Sequence, residues 1–197
     1  INSATDNPLV FPEERVCLSG GNFHGQPISL AMDVVGMALA MTGNISERRI
    51  FRMLDDKLNN GLPVFLISPK VKRGVNSGLM TVQYTAAALA SENKVLAHPA
   101  CVDSIPTSAN VEDFVSMGVS AAEKALQILE NTEYIIAIEL LCACQAIEFR
   151  GKEKLGKGTR RAYEMIRRAV PSVRQDRVLS GDIEKLRQMV QKGVIRD

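Results

Sequence analysis

The sequence has 197 residues, of which 46% are hydrophobic and 23% charged, and its net charge is +2 at neutral pH. This length suffices for one domain with a substantial core, and the composition excludes a disordered chain. Four scattered cysteines exclude a disulfide framework, and the apolar run from Pro27 to Thr42 is shorter than the ~20 residues that cross a bilayer. We therefore expect a soluble, cytoplasmic protein without a membrane partner.

Five helices are predicted along the chain, joined by loops that contain most of the glycines and prolines. Their expected ranges are 28–58, 80–97, 110–149, 157–170 and 182–191. Gly43 and Asn44 are expected to break the first helix. In the third, Asn110 is the expected N-cap, which would place Glu112 in the first turn beside the positive helix end. In the fifth, Asp182 is the expected cap.

No segment alternates like a set of strands, so the predicted class is all-α, a bundle of long helices. The first helix is apolar on nearly all sides over its first half, and the third, predicted for residues 110–149, is about forty residues long. The short helices cannot cover both surfaces. We therefore expect the chain to be part of a larger helical enzyme subunit, completed by further chain, by other subunits or by both.

Charge divides the chain at about residue 150. Residues 1–149 hold 10 Lys and Arg against 16 Asp and Glu, whereas residues 150–197 hold 14 against 6. No nucleic-acid-binding motif accompanies the basic residues, which favours a solvated helical face or an acidic subunit partner. We expect pocket-lining loops and central helices in residues 1–149 and basic C-terminal helices in residues 150–197. Cys142 and Cys144 lack nearby histidines, so small core residues are expected there and no metal site.

The loops are the unusual part of the sequence, because four of them crowd glycines and backbone-bonding side chains next to apolar helices. They are Asn2–Pro8, Ser19–Pro27, Asn76–Gly78 and Asp103–Asn110. Polar loops beside buried helices are where binding sites are often built. From these residues alone, plain helix connections are an equally good interpretation.

The same loops resemble those of the aromatic amino acid ammonia-lyases, and among them those of the histidine enzymes. The resemblance runs in order from residue 1 to about Phe149 and includes Ser-Gly-Gly-Asn-Phe-His-Gly-Gln-Pro at 19–27 and Ser-Ala-Asn-Val-Glu-Asp at 108–113. It implies elimination of ammonia from L-histidine to give trans-urocanate, within a homotetramer. It also implies an electrophilic group, 4-methylideneimidazole-5-one (MIO), which forms from an Ala-Ser-Gly triplet. No such triplet occurs in this sequence.

The resemblance also assigns candidate site residues. It implies that Glu112 is a catalytic carboxylate, because an acid there can bond an imidazole N–H or take a proton, whereas related phenylalanine and tyrosine enzymes usually carry an amide. The residues that it implies for substrate binding are Phe23, Asn7, Ser108, Met80 and Val111. His24 and His98 are expected to have structural roles.

Two departures from the histidine pattern lie beside Glu112. Val111 stands where glutamine is usual, and Phe114 where histidine is usual. A phenylalanine or tyrosine ammonia-lyase, or an aminomutase of the same family, is therefore an alternative. A non-catalytic helical assembly fragment is a second alternative, supported by the missing triplet.

Overall fold

The computed structural model describes residues 3–71 and 74–195 and is dominated by five α-helices. They are α1 (Gln26–Leu54), α2 (Met80–Leu96), α3 (Gly118–Arg150), α4 (Lys157–Ala169) and α5 (Ser180–Gln191). A short antiparallel hairpin precedes them, formed by β1 (Leu9–Phe11) and β2 (Val16–Leu18), with Val10 opposite Cys17. The all-α prediction is confirmed, and the hairpin is an addition to it.

The chain divides into two compact units. The loop unit contains residues up to Ala38 together with Leu96–Gln127, and the core unit contains Leu39–Val95 together with Ile128 onward. The hairpin, the first turns of α1 and of α3, and the loop between α2 and α3 belong to the loop unit.

The core unit contains the main hydrophobic cluster. Helix α3 supplies its centre, and the side chains of Ile135, Ile138 and Leu141 are fully buried. Ile128 and Ala146 are buried as well, so one face of the long helix packs inside the core unit. The two cysteines are core residues as expected, and burial raises the pKa of the Cys144 thiol to about 11.

The predicted break at Gly43 and Asn44 is wrong, because α1 is continuous from Gln26 to Leu54. A Cβ atom at Gly43 would lie 3.2 Å from Thr132 Oγ1 and 3.3 Å from a terminal carbon of Ile135. The glycine thus permits a close approach of α1 and α3 inside the core unit, where an added Cβ atom would require its neighbours to shift by a few tenths of an ångström.

Helix α1 is long and apolar enough to cross a membrane if only length and composition are considered. Four of its polar or charged side chains, however, are buried against the protein. They are Ser29, Asp33, Ser46 and Glu47. Three of them have protein partners: Asp33 accepts the Cys101 amide, Ser46 donates to Glu139 and Glu47 accepts from Arg48, whereas Ser29 Oγ has no hydrogen-bond partner among the described residues. We interpret α1 as a helix that packs within the protein.

The basic C-terminal helices attach to α3 through ion pairs. Arg167 Nε lies 2.9 Å from Glu148 Oε1, and Arg187 Nε lies 3.1 Å from Glu133 Oε2. Tyr134 also donates its hydroxyl to Glu184. Part of the positive charge of residues 150–197 therefore neutralises acidic side chains of α3. The fifth helix begins at Ser180, so Asp182 lies in its first turn and is not the cap.

Candidate functional site

Five of the six sequence-predicted site residues lie in the loop unit: Asn7, Phe23, Ser108, Val111 and Glu112. All five side chains are exposed in this chain. Phe23 is 57% exposed and Val111 is 80% exposed, and Phe114, three residues after Val111, is 50% exposed. Exposed apolar side chains beside a polar turn are typical of a pocket wall. Another part of the protein would complete such a pocket.

Asn7 ties the first loop to the segment that leads to Phe23. Its Oδ1 atom accepts hydrogen bonds from Ser19 Oγ at 2.9 Å and from the Gly20 amide at 3.0 Å. The carbonyl oxygen of this side chain is therefore used within the loop unit. Among the described residues no partner is found for its Nδ2 group, which could donate to a ligand.

Glu112 lies in a closed turn, and the prediction that it occupies the first turn of a helix is wrong. Thr107 and Glu112 form an antiparallel bridge, with Thr107 N–H donating to the Glu112 carbonyl at 2.9 Å. Helix α3 begins only at Gly118, so Asn110 is not its N-cap. A helix dipole consequently gives no structural reason for an acid at position 112.

The backbone conformation of this turn explains why the helix starts late. Ser108, Ala109 and Asn110 have φ values of 53°, 53° and 75°, which lie in the left-handed region. Non-glycine residues adopt that region at a cost of about 1–3 kcal/mol each, so the surrounding structure must hold them there. Backbone strain of this kind is concentrated at functional sites.

A hydrogen-bonded pair connects the Phe23 segment to the Glu112 turn. The His24 ring nitrogen Nε2 lies 2.9 Å from the Phe114 carbonyl oxygen, and the two rings stack with centroids 5.5 Å apart. The expected structural role of His24 is visible in these contacts. Its partner was not predicted from the sequence, because residues 24 and 114 are far apart in the chain.

A buried aspartate holds the next part of the same loop. Asp33 Oδ2 accepts the Cys101 amide at 2.7 Å, and Lys124 Nζ lies 3.7 Å from Asp33 Oδ1. Burial alone would raise the pKa of Asp33, but the hydrogen bonds from Cys101 and the charge of Lys124 outweigh it, and the pKa lies below its ordinary value. Gln26 Nε2 adds a bond to the Cys101 carbonyl at 3.1 Å. These contacts fix the loop before the Glu112 turn.

Met80, the sixth predicted residue, is the first residue of α2 in the core unit. The Asn76–Gly78 motif before it is held by Asp176, whose carboxylate accepts the amides of Ser77 and Gly78. Asn76 Oδ1 accepts the Asp176 amide in return, at 2.8 Å. The sequence did not indicate this use of Asp176, because aspartate in a loop is common and the two segments are far apart in the chain.

Among the residues that the structure describes, no group of three histidine, cysteine or acidic side chains is placed to hold a metal ion. The candidate site therefore depends on one exposed carboxylate, one exposed amide and apolar walls.

Comparison with known proteins identifies relatives for nearly the whole chain. The profile of the family described as "Aromatic amino acid lyase" matches residues 1–168. A histidine ammonia-lyase of Natranaerobius thermophilus is 58% identical over 98% of this chain, and the chain covers 38% of that relative's length.

Solved structures agree with this similarity. The histidine ammonia-lyase of Trypanosoma cruzi superposes with a TM-score of 0.90 at 45% identity, over 98% of this chain and 38% of that one. The tyrosine aminomutase of Streptomyces globisporus also superposes with a TM-score of 0.90, at 41% identity over 98% of this chain and 36% of that one. This chain thus spans less than two fifths of the length of each of these relatives, 36–38% of it.

Proposed function

Because the chain belongs to the aromatic amino acid lyase family, we propose that it is the C-terminal part of a histidine ammonia-lyase. The complete enzyme would remove ammonia from L-histidine and release trans-urocanate. In this reaction the bond between the α-carbon and its nitrogen breaks, and a proton leaves the neighbouring carbon. The observation that carries the proposal is Glu112, an exposed carboxylate in a strained turn of the loop unit.

The proposed role of Glu112 follows from what a carboxylate can do beside an imidazole. Its oxygen atoms can accept the imidazole N–H of histidine, or a proton from that ring, and an amide at the same position could not take a charge. Phe23 would contribute an aromatic wall, and the Asn7 amide would donate to a polar group of the substrate. Ser108, Val111 and Met80 are proposed as further lining residues.

The electrophile of the family, MIO, would not come from this chain, because no Ala-Ser-Gly triplet occurs in the sequence. When present, that group supplies the electrophile that captures the substrate and lets ammonia leave. Phe23 and Val111 suit a supporting role beside MIO. Their apolar side chains are largely exposed in the described part of the chain, so they are free to line a pocket that contains the group. We propose that another part of the complete enzyme supplies the group.

We further propose a cytoplasmic enzyme that is completed by other subunits in a homotetramer. Support for the subunits comes from α1, where a row of large apolar side chains is exposed in this chain. Its members are Leu30, Val34, Met37, Met41 and Ile45. Support for a reducing compartment comes from the four cysteines, which are all free thiols. The mass of the native complete enzyme would test the tetramer directly.

The proposed activity is tested by giving the complete enzyme L-histidine, L-phenylalanine and L-tyrosine separately and by identifying the products. We expect urocanate and ammonia from histidine, with the highest kcat/KM of the three substrates. An enzyme variant with the triplet serine replaced by alanine serves as the blank. Preference for phenylalanine or tyrosine would favour the lyase alternative in the family, and a β-amino acid product would favour an aminomutase. Absence of turnover with all three would favour a non-catalytic assembly.

A further inference from the structure

His24 makes two hydrogen bonds that determine which ring nitrogen holds the proton. The Gln26 amide donates to Nδ1 at 3.2 Å, so Nδ1 accepts. Nε2 therefore carries the proton and donates it to the Phe114 carbonyl oxygen at 2.9 Å. The imidazole thus connects the start of α1 to the segment that follows the Glu112 turn.

Two further contacts hold the same segments together. The rings of His24 and Phe114 are nearly parallel, at 18°, with centroids 5.5 Å apart. A Cβ atom at Gly25 would lie 3.0 Å from Ser116 Oγ, which is tighter than ordinary packing. Residues 24–25 and 114–116 are therefore in close contact through one ring pair, one hydrogen bond and one glycine.

Both ends of this contact lie close in sequence to proposed site residues. Phe23 directly precedes His24, and Glu112 lies two residues before Phe114. Each end of the contact is thus adjacent to a proposed site residue, and the turn that contains Glu112 has backbone strain that needs external support. Phe114 also stands where the resemblance implies a histidine, so this chain uses a stacked phenylalanine at that position.

We propose that His24 is a positioning residue, which fixes the Glu112 turn relative to Phe23 through its bond and its stacking with Phe114. This inference rests on the proposed function, since it assigns His24 a role in the same site. His24 does not need to touch the substrate. A displacement of the Glu112 carboxylate by about 1 Å would reduce turnover strongly, because catalytic groups act over hydrogen-bond distances.

Three variants of the complete enzyme separate the contacts. His24→Phe retains an aromatic ring for stacking but loses both hydrogen bonds. His24→Gln offers an amide donor close to the place of Nε2, and so rescues the bond to Phe114 in part. His98→Gln is the matched control, because the other histidine is exposed and its ring makes no hydrogen bond among the described residues.

In the kinetic test, His24→Phe should lower kcat/KM for histidine by about 10-fold or more, with His24→Gln between it and wild type. His98→Gln should match wild type. The decisive comparison is a double-mutant cycle with Glu112→Gln. If His24 acts through Glu112, adding His24→Phe to that variant should lower kcat/KM little further. Equal losses from His24→Phe in both backgrounds, or wild-type turnover by His24→Phe, would overturn the proposal.

Amide hydrogen exchange gives a second readout that does not depend on turnover. His24→Phe should speed exchange at the amides of Thr107 and Glu112, which close the turn, and His98→Gln should not. Unchanged exchange in His24→Phe would overturn the positioning role even if the enzyme were inactive on every substrate. Inactivity of the wild type would contradict the proposed function alone, so the two failures are distinguishable.

Discussion

Thr107 and Glu112 exchange backbone hydrogen bonds, at 2.9 Å from the Thr107 amide and at 3.3 Å from the Glu112 amide. The pair closes the turn that presents the Glu112 carboxylate, and three residues between them have left-handed backbone conformations. An acid in this place stabilises no helix end and makes no ion pair within the described chain. We propose that this carboxylate contacts the substrate.

Truncation of buried side chains in α3 should destabilise the protein. Ile135→Ala and Leu141→Ala each remove a fully buried side chain from the core unit, and each should lower the free energy of unfolding by about 2–5 kcal/mol. Leu129→Ala, on the same helix but 39% exposed, should cost less. Denaturant unfolding of the three variants measures the difference. A cost of less than about 1 kcal/mol for Ile135→Ala would contradict the tight packing described here.

Gly78 should be the least replaceable glycine of its loop. Its φ is +60°, and a Cβ atom would lie 2.5 Å from the Phe65 carbonyl oxygen, so Gly78→Ala adds a clash to backbone strain. Gly61 has a φ of +88° and open space around it, which makes Gly61→Ala a control for the backbone strain alone. We expect the melting temperature to fall more for Gly78→Ala. Equal falls would show that the contact with Phe65 has no energetic weight.

Asp33 should give the protein a pH-dependent part of its stability. Its folded pKa is below the ordinary value, so its ionised form stabilises the fold at higher pH, and this contribution is lost as pH falls through the folded pKa. Asp33→Asn should therefore melt below wild type at neutral pH, with the gap closing below about pH 4. The exposed Asp103→Asn serves as the control. A gap that stays constant down to pH 2, measured by melting curves, would contradict this assignment.

The 197-residue chain by itself should release no ammonia from histidine, because it lacks the triplet that forms the electrophile. Addition of the remaining part of the enzyme should be necessary for turnover. The check is an ammonia assay on the purified chain with and without that part. Sustained turnover by the chain alone would show that its chemistry does not depend on MIO.

The helices were the predictable part of this fold, since their periodic apolar positions and their ends are local signals. Helix α2 begins at Met80 as expected and ends one residue before the predicted end. Gly43 was misinterpreted because a glycine inside a helix can signal a break or a close helix contact, and only the packing against Thr132 distinguishes them. The hairpin was missed because its strands are three residues long and mostly exposed.

The candidate site was predictable only through the resemblance to a family. From residue types alone, the loops could equally be plain connections between helices. The start of α3 was predicted too early, because residues 108–110 adopt left-handed conformations although none of them is a glycine. The contacts of His24 with Phe114 and of Asp33 with Cys101 join segments far apart in the chain. Local sequence patterns carry no information on such pairs, so these supports emerged only from the structure.

The most direct test of the account is the histidine turnover of Glu112→Gln in the complete enzyme, with Asp113→Asn as the matched control. The substitution retains size and shape but removes the charge and the proton acceptor. We predict a fall in kcat/KM for histidine on the order of 10²-fold or more, with little change in melting temperature because the side chain is exposed. Asp113→Asn should retain most of the activity. Near wild-type turnover by Glu112→Gln would contradict the histidine assignment.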